Sequence, residues 1–166
     1  MKKILLSIAA LIACVACILV LAACDKKEEP QQEADIYFIT YNGVKIELGK
    51  DAGGVIAALG EAKSVKSLGD CGGFGAQVKY TYDDFELFTL KNDEGETIDG
   101  ISFLNDIAST SKAICLGDSS DKVIEAYGEP SQKSDTELRY TKDNFVLKFK
   151  LEDGEIVAID YLRITQ

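Results

Sequence analysis

The sequence contains no histidine, and this absence limits the chemistry available to the chain. Histidine is the commonest general base at neutral pH and a frequent zinc ligand, so the usual zinc sites and general-base arrangements are missing. A nucleophile at Cys115 would lack its histidine base. The acidic turns around Asp93 and Asp153 do not fit the EF-hand pattern, so solvated charge is predicted there, with a weak calcium site as the alternative. We predict no catalytic residue, no metal site and no cofactor, and we expect that the protein is not an enzyme.

Positive charge is also scarce. The chain has 18 lysines and arginines against 28 aspartates and glutamates, a net charge of −10. Loss of Lys2 and Lys3 with an N-terminal signal segment would leave 16 against 28, or −12. Such a surface stays soluble and repels nucleic acid and anionic lipid. We therefore expect no nucleic-acid partner.

The glycine-rich stretch SLGDCGGFGAQVKY at 67–80 lacks the features of a nucleotide-binding loop. It has neither the GxGxxG spacing nor the terminal Lys-Ser/Thr, and it precedes a predicted strand instead of opening a helix. Gly60 lies 19 residues before Lys79, whereas Gly128 lies 11 residues before Arg139 in a similar later segment, so this connection is eight residues longer. We predict a turn-rich insertion here.

An uncharged apolar run from Ile4 to Ala23 follows the basic start of the chain. It ends in LAAC, with Cys24 followed at once by the charged DKKEE, and this pattern resembles a bacterial lipobox, in which the cysteine is lipidated and becomes the mature N-terminus. We predict a lipoprotein signal peptide over 1–23 and a lipidated, flexible tether over 24–35 that reaches about 36 Å. Cys14 also follows a lipobox-like Leu11-Ile12-Ala13, but cleavage there would leave another apolar run on the mature chain, so Cys24 is preferred. An uncleaved membrane anchor is the alternative to a signal peptide. In both cases the remaining chain lies at the extracytoplasmic face of the cell membrane.

Few cysteines remain in the predicted mature chain. With Cys24 consumed by lipid, only Cys71 and Cys115 are left. In an oxidising compartment two cysteines suggest one disulfide bond. Two unpaired thiols are the alternative.

Two parts of the chain, 68 residues apart, share a pattern. IELGKDAGGVIAALGE at 46–61 matches ICLGDSSDKVIEAYGE at 114–129 at eight of sixteen positions. YTYDDFEL at 80–87 matches YTKDNFVL at 140–147 at five of eight positions. The first pair has the apolar spacing of a short helix, and the second begins a period-two alternation that is typical of half-buried strands. Each copy therefore predicts one helix followed by about three antiparallel strands.

A hairpin at Asn42-Gly43 precedes the first of these helices, because Asn-Gly between alternating residues favours a two-residue turn. We predict an α+β fold with a single domain over 36–166. It consists of two tandem helix-plus-antiparallel-strand modules, about 36–106 and 112–166, which form one continuous sheet with both helices on one face.

The lipobox, the acidic tether and the tandem I-x-L-G-x5-V-I-x-A-x-G-E segments, each followed by a strand meander, carry a resemblance to a known group. Together they resemble small bacterial lipoproteins of the β-lactamase-inhibitor-like superfamily. The outer-membrane assembly lipoproteins of the SmpA/OmlA type are a related, one-module version. The resemblance covers the chain from about Ile36 onward, and it implies a protein that binds other proteins. No binding residue of that group matches a position in this sequence.

The alternation of the predicted strands assigns one sheet face to the core and the other to recognition. The predicted core residues are Val78, Tyr80, Phe85, Leu87, Leu138, Tyr140, Phe145 and Leu147. The candidate protein-binding residues on the opposite face are Lys79, Thr81, Glu86, Phe88, Arg139, Thr141, Val146 and Lys148. Phe88 and Val146 would be apolar groups among charges, a composition that suits protein recognition. In the alternative, loops or the hairpin cover this face and Phe88 belongs to a second core.

These predictions lead to one expected function and one alternative. We expect a membrane-anchored extracytoplasmic lipoprotein that acts as a non-catalytic protein-interaction module of the inhibitor or scaffold type. It would be held to the membrane through Cys24 and would bind another extracytoplasmic protein. The alternative is an envelope binder of a small ligand, a peptide or an ion.

Overall fold

The computed structural model describes residues 36–70 and 73–164. The predicted signal peptide, the tether, Cys24 and Cys71 lie outside these residues. All described residues belong to one compact unit. Within this part of the chain, no helix is long and apolar enough to cross a membrane.

The described residues form ten strands and two short helices. The strands are β1 (Phe38–Tyr41), β2 (Val44–Glu47), β3 (Ser64–Asp70), β4 (Ala76–Thr81), β5 (Phe85–Asn92), β6 (Gly95–Phe103), β7 (Gln132–Lys133), β8 (Glu137–Lys142), β9 (Phe145–Glu152) and β10 (Glu155–Arg163). The helices are α1 (Gly53–Leu59) and α2 (Ser120–Tyr127).

β1 and β2 form the hairpin that the sequence predicts at Asn42-Gly43. Asn42 and Gly43 have φ angles of 49° and 81°, and the two-residue turn needs positive φ at both positions. The hairpin prediction is confirmed. Ile39 and Ile46 face each other across the pair and are 1% and 0% exposed, so the hairpin contributes directly to the core.

The other eight strands form one antiparallel sheet in the order β3-β4-β5-β6-β10-β9-β8-β7. Strands β3 to β6 form a first meander and β7 to β10 a second. The two meanders meet where β6 pairs with β10, and we call this contact the seam. The seam has three residue pairs, between Gly100–Ser102 and Asp160–Leu162.

β6 and β10 each change partner part-way along their length. The Ile98 N–H donates to the Lys50 carbonyl at 2.9 Å, and the Ile156 N–H donates to the Asp118 carbonyl at 2.9 Å. A register shift follows in each strand, which leaves Asp99 and Val157 as the extra residues of two β-bulges. Because of its bulge, each of these two strands pairs with a connecting segment along its first part and with the other meander along its last part.

The predicted α+β class, with two helix-plus-strand modules and both helices on one face, is wrong. Strands and bridges take up 52% of the described residues and helices only 12%. The helices have seven and eight residues, because Gly60 and Gly128 follow them with positive φ. A helix of eight residues is about 12 Å long and is too short to cover an eight-stranded sheet.

Other segments therefore supply most of the core opposite the sheet. No residue of α1 is buried, and α2 buries only Val123. The core cluster instead includes residues of the β1–β2 hairpin, and also Ala108 and Ile114 from the connection after β6. These pack with a cross-strand row of the sheet that contains Leu87, Ile101 and Tyr161, each 0% exposed.

The glycine-rich stretch is only partly a turn, so the predicted insertion is wrong over its first half. Ser64–Asp70 forms strand β3, which pairs with β4. The turn itself requires glycine at Gly75, where φ is +127° and a Cβ atom would lie 2.5 Å from the Lys91 carbonyl oxygen. The connection is longer than its later counterpart because it contains a full strand.

Candidate interaction face

Two cross-strand rows of side chains cross the sheet on the face opposite the core. Residues paired across neighbouring strands project to the same face. The Phe88 row consists of Lys66, Lys79, Phe88, Gly100, Leu162, Val146 and Thr141. The Asp160 row consists of Ser64, Thr81, Glu86, Ser102, Asp160, Lys148, Arg139 and Gln132. We call this surface the interaction face, and all eight candidate residues predicted from the sequence lie in these two rows.

The apolar residues of the interaction face lie outside the core cluster. Leu87 and Leu147 are fully buried in the core cluster, whereas their chain neighbours Phe88 and Val146 lie outside it. Phe88 is half-buried. Val146 is only 3% exposed, so it offers a partner little surface of its own.

The middle of the Phe88 row is apolar and includes a glycine. A Cβ atom at Gly100 would lie 3.6 Å from Phe88 Cβ and 3.0 Å from the Tyr161 carbonyl oxygen, so the Phe88 side chain lies against the backbone of β6. Leu162, the next residue of the row, is 38% exposed. Phe88 and Leu162 therefore flank Gly100 as two partly exposed apolar groups at the seam.

Two cations of the face, Lys79 and Lys148, are paired with acidic side chains. Lys79 Nζ lies 2.6 Å from Glu86 Oε1, and Lys148 Nζ lies 3.2 Å from Asp160 Oδ2. The Ser102 hydroxyl donates to Asp160 Oδ1 at 2.7 Å. These contacts run along and between the rows, so the long side chains have partners before any binding.

Arg139 has a partner beside the rows. Its Nη2 lies 2.8 Å from Glu137 Oε1, two residues earlier in β8. Counted together, the two rows hold four cations, Lys66, Lys79, Lys148 and Arg139, against the two anions Glu86 and Asp160. The rows therefore carry a formal charge of +2 in a chain of −10.

A further charged pair lies at the bulge of β6. Arg163 Nε is 3.3 Å from Asp99 Oδ1, and Gln77 Nε2 donates to Asp99 Oδ2 at 3.5 Å. Burial raises the pKa of Asp99 above its ordinary value, and the charge of Arg163 opposes this effect. The site residues predicted from the sequence did not include Asp99, Asp160, Ser102 or Leu162. The only sequence feature that could have indicated these residues is the polar–apolar alternation along β6 and β10. A β-bulge interrupts this alternation in each strand.

Of the two predicted disulfide partners, the structure describes only Cys115. Cys115 is half-buried and forms no disulfide bond with any described residue, and its backbone N–H donates to Asp118 Oδ2 at 2.8 Å. Burial and the nearby charge of Asp118 raise the pKa of Cys115. Cys71 lies outside the described residues, so the bridge stays a prediction.

Other sites in the described residues are limited. No group of three or more histidine, cysteine, aspartate or glutamate residues in this part of the chain could hold a metal ion. A depression of about 570 Å³ at the β9–β10 turn is open to solvent. It is lined by Asp135, Thr136, Leu151, Glu152, Asp153 and Gly154.

Comparison with known proteins adds little to this geometry. Neither a protein family nor a curated protein sequence matches the chain. A crystal structure of an extracellular protein containing a SCP domain, from Bacillus anthracis str. Ames, is similar at a TM-score of 0.43 and 12% sequence identity. The match covers 83% of this chain and 49% of that one, so this chain spans about half the length of that protein. A similarity of this size supports no functional conclusion.

Proposed function

We propose that the protein is a membrane-anchored extracytoplasmic lipoprotein that acts as a non-catalytic protein-interaction module of the inhibitor or scaffold type. The observation that supports the module is the interaction face, where partly exposed Phe88 and Leu162 lie between paired charges. The anchor is supported by the lipobox-like sequence that ends at Cys24.

The interaction face makes up part of an interface of standard size. Eight strands spaced about 4.8 Å apart give a width of about 34 Å, and the three residues of each strand that the two rows span give a length of about 10 Å. The resulting area of about 340 Å² is less than half of the roughly 800 Å² that each partner buries in an interface of standard size, so a partner would also contact residues beside the rows.

The paired charges favour binding without a large ordering cost. Because Lys79 and Lys148 already contact Glu86 and Asp160, less side-chain entropy is lost when a partner docks. If a partner protein buries these side chains, each charge keeps its ion pair, so the free-energy cost of burying an unpaired charge is avoided. The +2 charge of the two rows favours a partner surface with a projecting apolar residue and an acidic rim.

Photo-crosslinking in the native envelope tests the proposal. The full-length chain would carry a photoreactive amino acid at Thr141, an exposed residue at the end of the Phe88 row. We expect one reproducible partner protein, with at least a tenfold lower yield for Phe88→Ala and Arg139→Ala. Loss of a central aromatic or arginine contact typically costs more than about 1.4 kcal/mol of binding free energy, which corresponds to tenfold.

Phe38→Ala and Lys50→Ala are the matched controls, because both residues lie outside the sheet that carries the interaction face. Neither control should change the yield. Unchanged capture by both face variants would contradict the proposal. A loss of about 3–5 kcal/mol in the unfolding free energy of Phe88→Ala would place this residue in a second core and remove the main support.

A further inference from the structure

Strand β3 forms one edge of the eight-stranded sheet and is unusually exposed. Six of its seven residues are exposed, and β4 is its only neighbour in the sheet. The strand at the opposite edge, β7, has only two residues, Gln132 and Lys133. Because proteins commonly keep edge strands short, the length of β3 needs an explanation.

The outer side of β3 presents unpaired backbone groups. In an antiparallel strand, alternate residues direct their N–H and C=O groups away from the neighbouring strand. No backbone hydrogen bond from the described residues reaches Ser64–Asp70, apart from the ladder with β4. A further strand could therefore pair with this edge.

The side chains of β3 indicate what kind of segment fits. Val65 and Leu68 are 58% and 48% exposed. Lys66 is exposed and has no ion-pair partner within the described residues, whereas its cross-strand neighbour Lys79 is paired with Glu86. The edge thus combines apolar contact area with one unpaired cation.

We propose that β3 binds an extended, acidic segment of another protein, which adds to the sheet as a ninth strand. The segment would hydrogen-bond to the backbone edge, contact Val65, and place a carboxylate beside Lys66. This mode of recognition takes its affinity from backbone pairing and its specificity from alternate side chains. It uses the backbone edge of the sheet and shares only Lys66 with the interaction face, so strand addition can occur whether or not that face binds a partner.

A second copy of the chain fits this edge less well. In a pair of antiparallel β3 strands, the favourable arrangement places Lys66 of one copy opposite Asp70 of the other. This arrangement requires a register centred on Leu68. Leu68 is the extra residue between Ser67 and Gly69, where the register of β3 shifts. The Asp70 carboxylate also already accepts a hydrogen bond from the Gly73 N–H at 3.0 Å.

Amide hydrogen exchange on the full-length lipidated chain in detergent tests this proposal. The probes are a capped heptapeptide of alternating valine and glutamate and a matched peptide with lysine in place of glutamate. We expect the acidic peptide to slow exchange in 64–70 at least tenfold and the basic peptide to have no effect. Lys66→Glu should reverse this preference, and Lys66→Gln should abolish it.

Two controls make the result specific for strand addition. Lys133→Glu, on the opposite edge strand, should leave the preference for the acidic peptide unchanged. Two further acidic peptides would be N-methylated, one at the odd-numbered and the other at the even-numbered residues. Only one of the two should still slow exchange in 64–70, because an added strand uses only one set of its alternate N–H groups for pairing.

Several results would overturn the proposal. They are equal exchange with and without the acidic peptide, an unchanged preference in Lys66→Glu, and equal binding of both N-methylated peptides. Protection that grows with protein concentration alone would assign the edge to a second copy. Protection that disappears on deletion of 25–35 would assign it to the tether of the chain itself.

Discussion

Among individual residues, two tyrosines of the sheet, Tyr80 and Tyr140, have pKa values that folding raises well above the ordinary value. Burial raises the pKa of Tyr140 to about 12, and burial together with a hydrogen bond to Glu96 raises the pKa of Tyr80 to about 12. The Tyr140 hydroxyl donates to the Gly128 carbonyl at 2.9 Å, which ties β8 to the end of α2. Both side chains are therefore held in their neutral form by the folded state.

Alkaline pH should destabilise the protein through these residues. Tyrosine in the unfolded chain ionises near pH 10, whereas Tyr140 in the folded protein keeps its proton until about pH 12. The stabilisation is therefore complete below pH 10 and is lost as the pH rises from 10 to 12. At pH 11 the loss from Tyr140 is about 1 kcal/mol of unfolding free energy.

Urea unfolding at pH 8.5, 10 and 11 measures this effect. Tyr140→Phe should be less stable than the unmodified chain at pH 8.5, because it lacks the hydrogen bond to Gly128, but it should lose less stability as the pH rises. Lysine deprotonation affects both proteins equally. Identical pH slopes for the two proteins would show that Tyr140 does not keep its proton in the folded state.

Residue burial could be predicted only where the strand alternation is regular. Of the predicted core residues, four are fully buried, namely Phe85, Leu87, Leu138 and Leu147, and Tyr140 is 6% exposed. The prediction was wrong for Val78, Tyr80 and Phe145, which are only half-buried. Leu162 could not be assigned in advance, because the extra residue in β10 shifts the alternation that precedes it. A bulge changes the side-chain pattern by one residue without any signal from composition.

At the level of elements, the β3–β4 hairpin depends on one glycine. A Cβ atom at Gly75 would lie 2.5 Å from the Lys91 carbonyl oxygen in β5, whereas one at Gly73 would meet nothing within 4 Å. Both glycines have positive φ, of +127° and +83°, so a side chain at either position adds backbone strain. Only at Gly75 would a side chain cause both backbone strain and a steric clash with β5.

We expect Gly75→Ala to lower the unfolding free energy by at least about 2 kcal/mol and Gly73→Ala by about 1 kcal/mol. Gly73→Ala is the matched control, because it shares the positive φ and the same hairpin. Denaturant unfolding of both variants gives the comparison. Equal losses in the two variants would mean that the hairpin can move away from β5 without cost.

Helices and strands differed in how well the sequence predicted them. The helical spacing correctly located α1 and α2, but it could not show that both would be too short to cover the sheet. β3 was not predicted, because SVKSLGD has no consistent apolar face and a large part of an edge strand is in contact with solvent. The interaction face was predictable on β4, β5, β8 and β9, where alternation and turn residues agree.

At the level of the whole molecule, the proposed membrane anchor depends on Cys24. We expect Cys24→Ala to leave the precursor unprocessed and without lipid, because the predicted lipobox provides the only processing signal that precedes a charged tether. Radiolabelled palmitate and N-terminal sequencing of the protein from its own envelope measure both steps.

Cys14→Ala is the matched control for this variant, since Cys14 lies in the same apolar run. It should be processed and labelled like the unmodified chain. A mature protein that begins near Cys14, or an unchanged lipid-labelled band in Cys24→Ala, would contradict the assignment.

The seam between the two meanders has a consequence for folding kinetics. Every other neighbouring pair of strands in the sheet is a hairpin, whereas the three pairs of the seam join residues about 60 positions apart. Hairpins form within microseconds, but closing a long loop loses chain entropy before contacts compensate for it. We expect each meander to form early and the docking of β6 onto β10 to limit the folding rate. Substitutions at the hairpin turns should then mainly slow folding, because the meanders are already formed at the rate-limiting step. Substitutions at Tyr161, where docking is in progress, should both slow folding and speed unfolding.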